Sequence, residues 1–290
     1  MVTHYIDIHP HIISGDLETY PPSPLFGKQS DWSKERPLEV QGLLAAMDAA
    51  GIGKAAVVHS STCYGYDNSY VCDSVLQHPD RLTAVGSVDL GAADATQQIR
   101  AWMKRGLTGL RLFTGGSTKA FDTSGLDDPA SFPAWDLAGQ EGLSICIQTG
   151  PVGLAQIAGL ARRFPKVNII LDHLSRPVVD DGPPYNSAVS LWAMSAFDNI
   201  HMKITPRTTD LAVKGDADPT SLFTKLVDTF GADRLAWGSN YPSSDGELKD
   251  NLDVARRQLG FLPEAVQRQI FAGTAQKLYP CLADAGMSSG

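Results

Sequence analysis

The sequence predicts a (β/α)8 barrel, the TIM-barrel architecture of the α/β class, with residues 1–290 as a single domain. Eight short apolar runs alternate with amphipathic stretches from about residue 4 to about residue 280, the span such a barrel needs. Most of the runs are continuously apolar rather than alternating, as expected of parallel strands buried on both faces. No GxGxxG follows an early strand, and there is no repeat or second core, which sets the open doubly wound sheet behind the barrel.

The strands are expected at 5–9, 55–58, 83–88, 109–113, 144–148, 168–171, 201–204 and 234–237. The first intervening helix covers 38–50, where Leu38, Val40, Leu43, Leu44 and Met47 return to one face. Further helical patterns run over 69–77, 92–105, 131–141, 153–164, 186–196, 219–230 and 248–259, and a last one over 263–271. Gly51, Gly106, Gly142 and Gly231 each follow such a pattern, the place of a C-terminal cap. Pro219 and Pro263 fit first-turn positions. Two long connections stand out, 12–37 and 177–185, and long loops in a barrel build or cover the site.

Composition narrows the function. The 290 residues carry 24 Lys and Arg against 32 Asp and Glu, a formal charge of −8. That balance disfavours nucleic acid and anionic membranes, which need a basic face. No apolar stretch reaches the roughly 18 residues of a membrane span. The first 13 residues interrupt their apolar run with Asp7, His9 and His11, unlike a secretory leader. The 4 cysteines lack metal-type spacing, so reduced thiols in a cytoplasmic protein are expected. Nothing in the sequence speaks against a homo-oligomer.

Polar residues at the strand ends are the candidates for chemistry, because barrel sites lie there. His9 and His11 follow strand 1 two apart and so face one side. His173 follows strand 6. Three such imidazoles can hold one divalent ion, zinc first, with His9, His11 and His173 as ligands. Without an ion, a histidine is the candidate general base. Arg111 in strand 4 needs an anionic partner, either a protein carboxylate or a substrate carboxylate. Arg176, Lys203 and Arg207 add cations near strands 6 and 7, and Gln148 ends strand 5. Tyr64 and Tyr66, in the loop after strand 2, are candidates to orient a ring. Strand 8 runs into Asn240, whose amide cannot take a proton. A small anionic substrate is the expected partner.

Together Asp7-x-His9-x-His11, Cys63-Tyr64-Gly65-Tyr66-Asp67-Asn68, Gly109-Leu110-Arg111, Leu171-Asp172-His173-Leu174 and Trp237-Gly238-Ser239-Asn240-Tyr241-Pro242 resemble the amidohydrolase superfamily. The likeness is to the branch of amidohydrolase-related proteins that includes 2-pyrone-4,6-dicarboxylate and sugar-lactone hydrolases. The resemblance implies hydrolysis of a lactone or related ester of a small carboxylated molecule, at a site containing His9, His11, His173 and Asn240. It also implies a metal-dependent decarboxylation of an aromatic acid as the alternative, and a non-catalytic binding homologue as a third. Metal-using members place ligands at the HxH pair and at an Asp on strand 8, with further histidines on strands 5 and 6. The pyrone branch works without a metal, using the strand 8 Asp as base. This chain departs from both patterns at Gln148 and Asn240.

Overall fold

The computed structural model describes residues 5–283. Eight parallel strands form one sheet in sequence order: β1 Ile6–Asp7, β2 Lys54–Val58, β3 Leu82–Gly86, β4 Leu107–Phe113, β5 Ser144–Gln148, β6 Ile169–Leu171, β7 Ile200–Ile204 and β8 Leu235–Trp237. The Ile8 amide donates to the Trp237 carbonyl at 3.3 Å, bringing β8 back against the chain leaving β1. The expected eight-stranded barrel is the observed one.

The surrounding helices are α1 Val40–Ala50, α2 Ser69–Gln77, α3 Ala95–Met103, α4 Phe132–Glu141, α5 Leu154–Arg163, α6 Val189–Trp192, α7 Pro219–Phe230 and α8 Leu248–Leu259. Gly51 and Gly142 end α1 and α4 in the left-handed conformation expected of them, at φ 70° and 69°. Alternation along each strand separates two cores. Ala55, Val57, Ile145, Ile147, Met202 and Ile204 pack outward against helices. Ile6, Ala56, Val58, Val85, Cys146, Ile170 and Ala236 pack inside the barrel. The C-terminal segment adds Ala275, Leu278, Tyr279 and Leu282 to that inner core. Its Leu278 carbonyl accepts from the Ser144 hydroxyl, 2.9 Å away at the start of β5, so the segment closes the N-terminal end of the barrel. The opposite end stays free for a site.

Three elements differ from expectation. The first strand ends two residues early, because the Asp7 carboxylate captures the His9 amide at 2.9 Å and Pro10 has no donor to offer. The helix expected at 186–196 is broken into the short α6 between two 3-10 turns, Asn186–Ala188 and Ala193–Ala196. The last helix, begun by Pro263, runs Glu264–Arg268, passes through a π-helical segment at Gln269–Gly273 and resumes at Thr274–Leu278. Among the described residues no helix is long and apolar enough to cross a membrane.

Candidate functional site

The strand ends gather a buried polar cluster. His9 and His11 leave β1 on the same side, with ring centroids 5.0 Å apart. His173 lies 5.0 Å from His9 by the same measure, so the three predicted imidazoles do converge. Gly238 makes room for them: a Cβ there would come within 2.7 Å of the His9 Cβ. This gives the Trp237-Gly238 pair at the end of β8 a steric reason.

His173 is presented by a segment that no sequence signal announces. Residues His173, Leu174, Ser175 and Arg176 all have positive φ, between 53° and 56°. A left-handed turn of four non-glycine residues costs about 1–2 kcal/mol per residue. The Arg176 amide closes it by donating to the His173 carbonyl at 2.9 Å. Such strain persists where surrounding packing over-determines it, and here it carries His173 and Arg176 into one cavity.

Beneath the histidines lies an ion cluster centred on Asp172. Lys203 Nζ stands 2.8 Å from Asp172 Oδ1, and Arg111 Nε donates to Oδ2 at 3.0 Å. His9 Nδ1 is 3.5 Å from the same carboxylate. Arg111 also donates to the Gln148 side-chain oxygen Oε1, and Gln148 Nε2 in turn donates to the Gly115 carbonyl at 3.1 Å. Burial pushes the Asp172 carboxyl up, but Lys203 and Arg111 outweigh it and hold the group below the ordinary carboxylate range. Asp7 accepts the Ser239 and His9 amides at 2.8 and 2.9 Å, while burial raises its pKa.

The same burial and cations keep the histidines neutral. Burial and then Arg111 push His11 down to about 3. Burial and then Lys203 lower His9 well below its usual value. Burial lowers His173 likewise; Asp172 opposes this, and Arg207, Arg111 and Arg176 add to it. The His11 tautomer follows from geometry. Its Nδ1 lies 2.7 Å from the Val58 carbonyl, which can only accept, so Nδ1 carries the proton and Nε2 keeps its lone pair. His173 Nδ1 meets the Thr205 hydroxyl at 2.8 Å.

Above the cluster is a narrow cavity of about 30 Å3, lined by His11, Trp32, Ser60, Thr62, Arg111, Phe113, Ser117, Gln148, His173, Arg176, Arg207, Asn240 and Ser243. It is the place where three arginines, two neutral imidazoles and several small donors face one volume. Arg176 is half-buried, and burial followed by Arg207 and Arg111 brings it to about 10. Its guanidinium lies over the Phe121 ring at 5.1 Å, and its buried Nε has no hydrogen-bond partner. Asn240, at φ 53°, donates from Nδ2 to the Ser244 hydroxyl at 2.9 Å.

Several expected site residues are placed differently. Lys203 is fully buried and faces Asp172 rather than the cavity, because its position in β7 points inward below the strand end. Tyr64 is buried beside Ile13 and Cys63, and its hydroxyl accepts the Ser14 amide at 2.8 Å, so it anchors the 12–37 connection. Tyr66 is 42% exposed and lines a neighbouring cavity. His9 lies behind His11, outside the cavity wall. Arg111 reaches the wall, but Nε and Nη2 are held by Asp172 and Gln148. Sequence reasoning passed over His59, the residue directly after β2. Its Nε2 lies 2.9 Å from the Gly65 carbonyl, which secures the turn after β2, and burial lowers it to about 4. Its place at a strand end was the available signal.

The donors do not fit a divalent cation as they stand. Among the described residues no group of three or more His, Cys, Asp or Glu side chains is arranged to hold a metal. The carboxylate in contact with the histidine cluster's cations, Asp172, is already engaged by Lys203 and Arg111. Positions 148 and 240 offer amides. A dication would enter a field set by Lys203, Arg111, Arg176 and Arg207; the buried Asp7, whose Oδ2 has no hydrogen-bond partner, is the anion left to offset it, and burial already raises its pKa. The zinc expected at His9, His11 and His173 is therefore not supported by their surroundings.

The profile of the Amidohydrolase family matches residues 6–281. The chain is 28% identical over 247 residues to an L-fucono-1,5-lactonase of Burkholderia ambifaria, covering 84% of this chain and 82% of that one. Its fold is similar to that of a probable 2-pyrone-4,6-dicarboxylic acid hydrolase from Acinetobacter baumannii, solved with citric acid bound. There the TM-score is 0.74 at 16% identity, over 96% of this chain and 99% of the other. An amidohydrolase from Burkholderia multivorans with bound zinc gives a TM-score of 0.75 at 17% identity, over 95% and 99%.

Proposed function

The chain belongs to the Amidohydrolase family, and from that premise we propose that it hydrolyses a lactone or related ester of a small carboxylated molecule without a bound metal. The observation that carries this reading is the pairing of a neutral, lone-pair-bearing His11 Nε2 with arginines around one cavity. Relatives named as a fuconolactonase and a pyrone-dicarboxylate hydrolase support the reaction class.

The substrate carboxylate pairs with Arg176 and Arg207, the two cavity cations with no ion pair among the described residues. Guanidinium and carboxylate match as a planar, two-bond fork. The lactone carbonyl then lies among His11, His173 and Arg111. Water attacks the carbonyl carbon, His11 Nε2 takes its proton, and the developing oxyanion is met by Arg111 and the small donors of the wall. Collapse of the tetrahedral species breaks the ring C–O bond, and the proton held by His11 returns to the leaving alkoxide. Substrate binding also prepares the base. A carboxylate bound at Arg176 and Arg207 brings a negative charge into the cavity beside His11, so the imidazole's basicity rises where the water sits.

Asn240 takes no proton in this scheme; it orients Ser244 and the wall. A panel of carboxylated lactones and aromatic acids, followed by proton release and by carbon dioxide release, tests the reading. Lactone opening that His11→Ala abolishes supports it. Carbon dioxide release from an aromatic acid would replace it with decarboxylation. An inert native chain that Asn240→Asp activates would instead mark a binding homologue that lost its base.

A further inference from the structure

Beside the cationic cavity lies a second one of about 230 Å3, and Arg111 and Phe113 line both. It opens at the ends of β3 and β4, on the same end of the barrel. Its apolar wall is formed by Leu25, Phe26, Val88, Leu90, Leu126 and Trp135. Its charged residues are Lys119, Asp122 and Asp89, apart from the shared Arg111, and Lys119 is paired with Asp122 at 3.1 Å. The first cavity thus collects guanidinium groups, while the second has one apolar side, faces it with the hydroxyls of Ser61, Ser87, Thr114, Ser124 and Ser131, and among the described residues leaves one carboxylate, Asp89, without a paired cation. A second anionic group would be repelled there; a neutral apolar one gains by leaving water.

The two loops that roof this second cavity touch one another. Phe26, from the long 12–37 connection, lies 4.5 Å below Lys119 Nζ, from the loop after β4. The Phe26 and Phe113 rings stand 6.4 Å apart across the junction. Phe26 holds φ 66°, an unfavourable conformation for an aromatic residue, and is 46% exposed. An exposed aromatic ring held in that conformation over an apolar cavity is explained if the ring serves as its rim.

The geometry points to a substrate with two unlike ends: one carboxylate, seated at Arg176 and Arg207, and an uncharged apolar chain or ring, seated between Phe26, Leu90 and Leu126. This inference rests on the carboxylate position given above and narrows the substrate class to monocarboxylates with an apolar substituent, against dicarboxylates.

Binding of butanoate, hexanoate and octanoate, measured by titration calorimetry, tests it without requiring turnover. Affinity is expected to rise about threefold to fourfold for each added methylene that enters the cavity. Gly125 lines this cavity, and a Cβ added there meets nothing within 4 Å. Gly125→Phe therefore fills the space, and the octanoate-to-butanoate affinity ratio should collapse toward one. Phe26→Asn, which suits a positive φ, should lower the same ratio by removing the rim. A flat series in the native protein overturns the inference, as does a ratio that both folded variants leave untouched. Lactone hydrolysis together with a flat series would sink the second cavity and leave the hydrolase reading intact. A steep series in a protein that opens no lactone would do the reverse.

Discussion

At the N-terminal end of the barrel, Leu278, Tyr279 and Leu282 fill the space between the strands, and the closest polar contact of the Tyr279 hydroxyl is Cys146 Sγ at 3.4 Å. At the C-terminal end, the same inward-facing strand positions carry Lys203, Asp172 and Arg111 in a buried ion cluster under three neutral histidines. Both ends are almost fully buried, yet one is closed by apolar volume and the other by charge. The difference lies in what each leaves unsatisfied. Among the described residues the N-terminal end leaves His201 Nε2 without a hydrogen-bond partner, whereas the site end leaves both His9 ring nitrogens, Asp7 Oδ2 and Arg176 Nε without one. Burying such groups is costly, and the cost is tolerated where the groups have a task.

Substitutions that separate the two ends should differ in kind. The largest expected effect is His11→Ala, which removes the proposed base and should lower kcat by about 10²–10⁴-fold with the melting temperature little changed. Retained turnover would move the base elsewhere in the site. Lys203→Met leaves the Asp172–Arg111–His9 group without its second cation, and denaturant unfolding should show a loss of about 3 kcal/mol. Arg176→Met should raise KM about 30-fold for a carboxylated lactone and leave its neutral methyl ester almost unaffected. An equal effect on both would make Arg176 structural.

Acid should destabilise the protein through buried histidines at both ends of the barrel. In the folded state burial brings His11 to about 3 and both His59 and His201 to about 4, against an ordinary 6.5. Between pH 6.5 and 4 the unfolded chain therefore binds protons that the folded chain refuses, and stability falls as pH falls. Each such histidine contributes about 1.4 kcal/mol per pH unit in that window. A melting temperature that stays level from pH 7 to 5 would contradict the burial of neutral histidines. The smallest effect is expected at the N-terminal end: Tyr279→Phe gives up a weak sulfur contact and should cost less than about 1 kcal/mol, with kcat unchanged.

The barrel was legible in the sequence because parallel strands buried on both faces read as plain apolar runs, and each ended near a polar residue. The pairing of His9 with His11 followed from that register; the turn that presents His173 did not. Neither did depth. Lys203 and Arg207 look alike in the sequence, but one points into the barrel below the strand end and the other lies in the helix Pro206–Leu211 that follows β7, at the cavity rim. The His173–Arg176 turn was invisible for a different reason. Left-handed backbone is signalled by Gly or Asn, and this segment has neither, so only tertiary packing specifies it. Tyr64 was misplaced because an aromatic residue in a loop near a site can face the substrate or pin the loop, and its hydroxyl meets the Ser14 amide.

If charge already present in the protein does the work of a metal at this site, a carboxylated lactone assayed with enzyme stripped by chelator and checked by elemental analysis will still be opened. Undiminished turnover at less than about a tenth of an equivalent of metal is the predicted result. Loss of turnover on stripping, restored in proportion to added zinc, would contradict it.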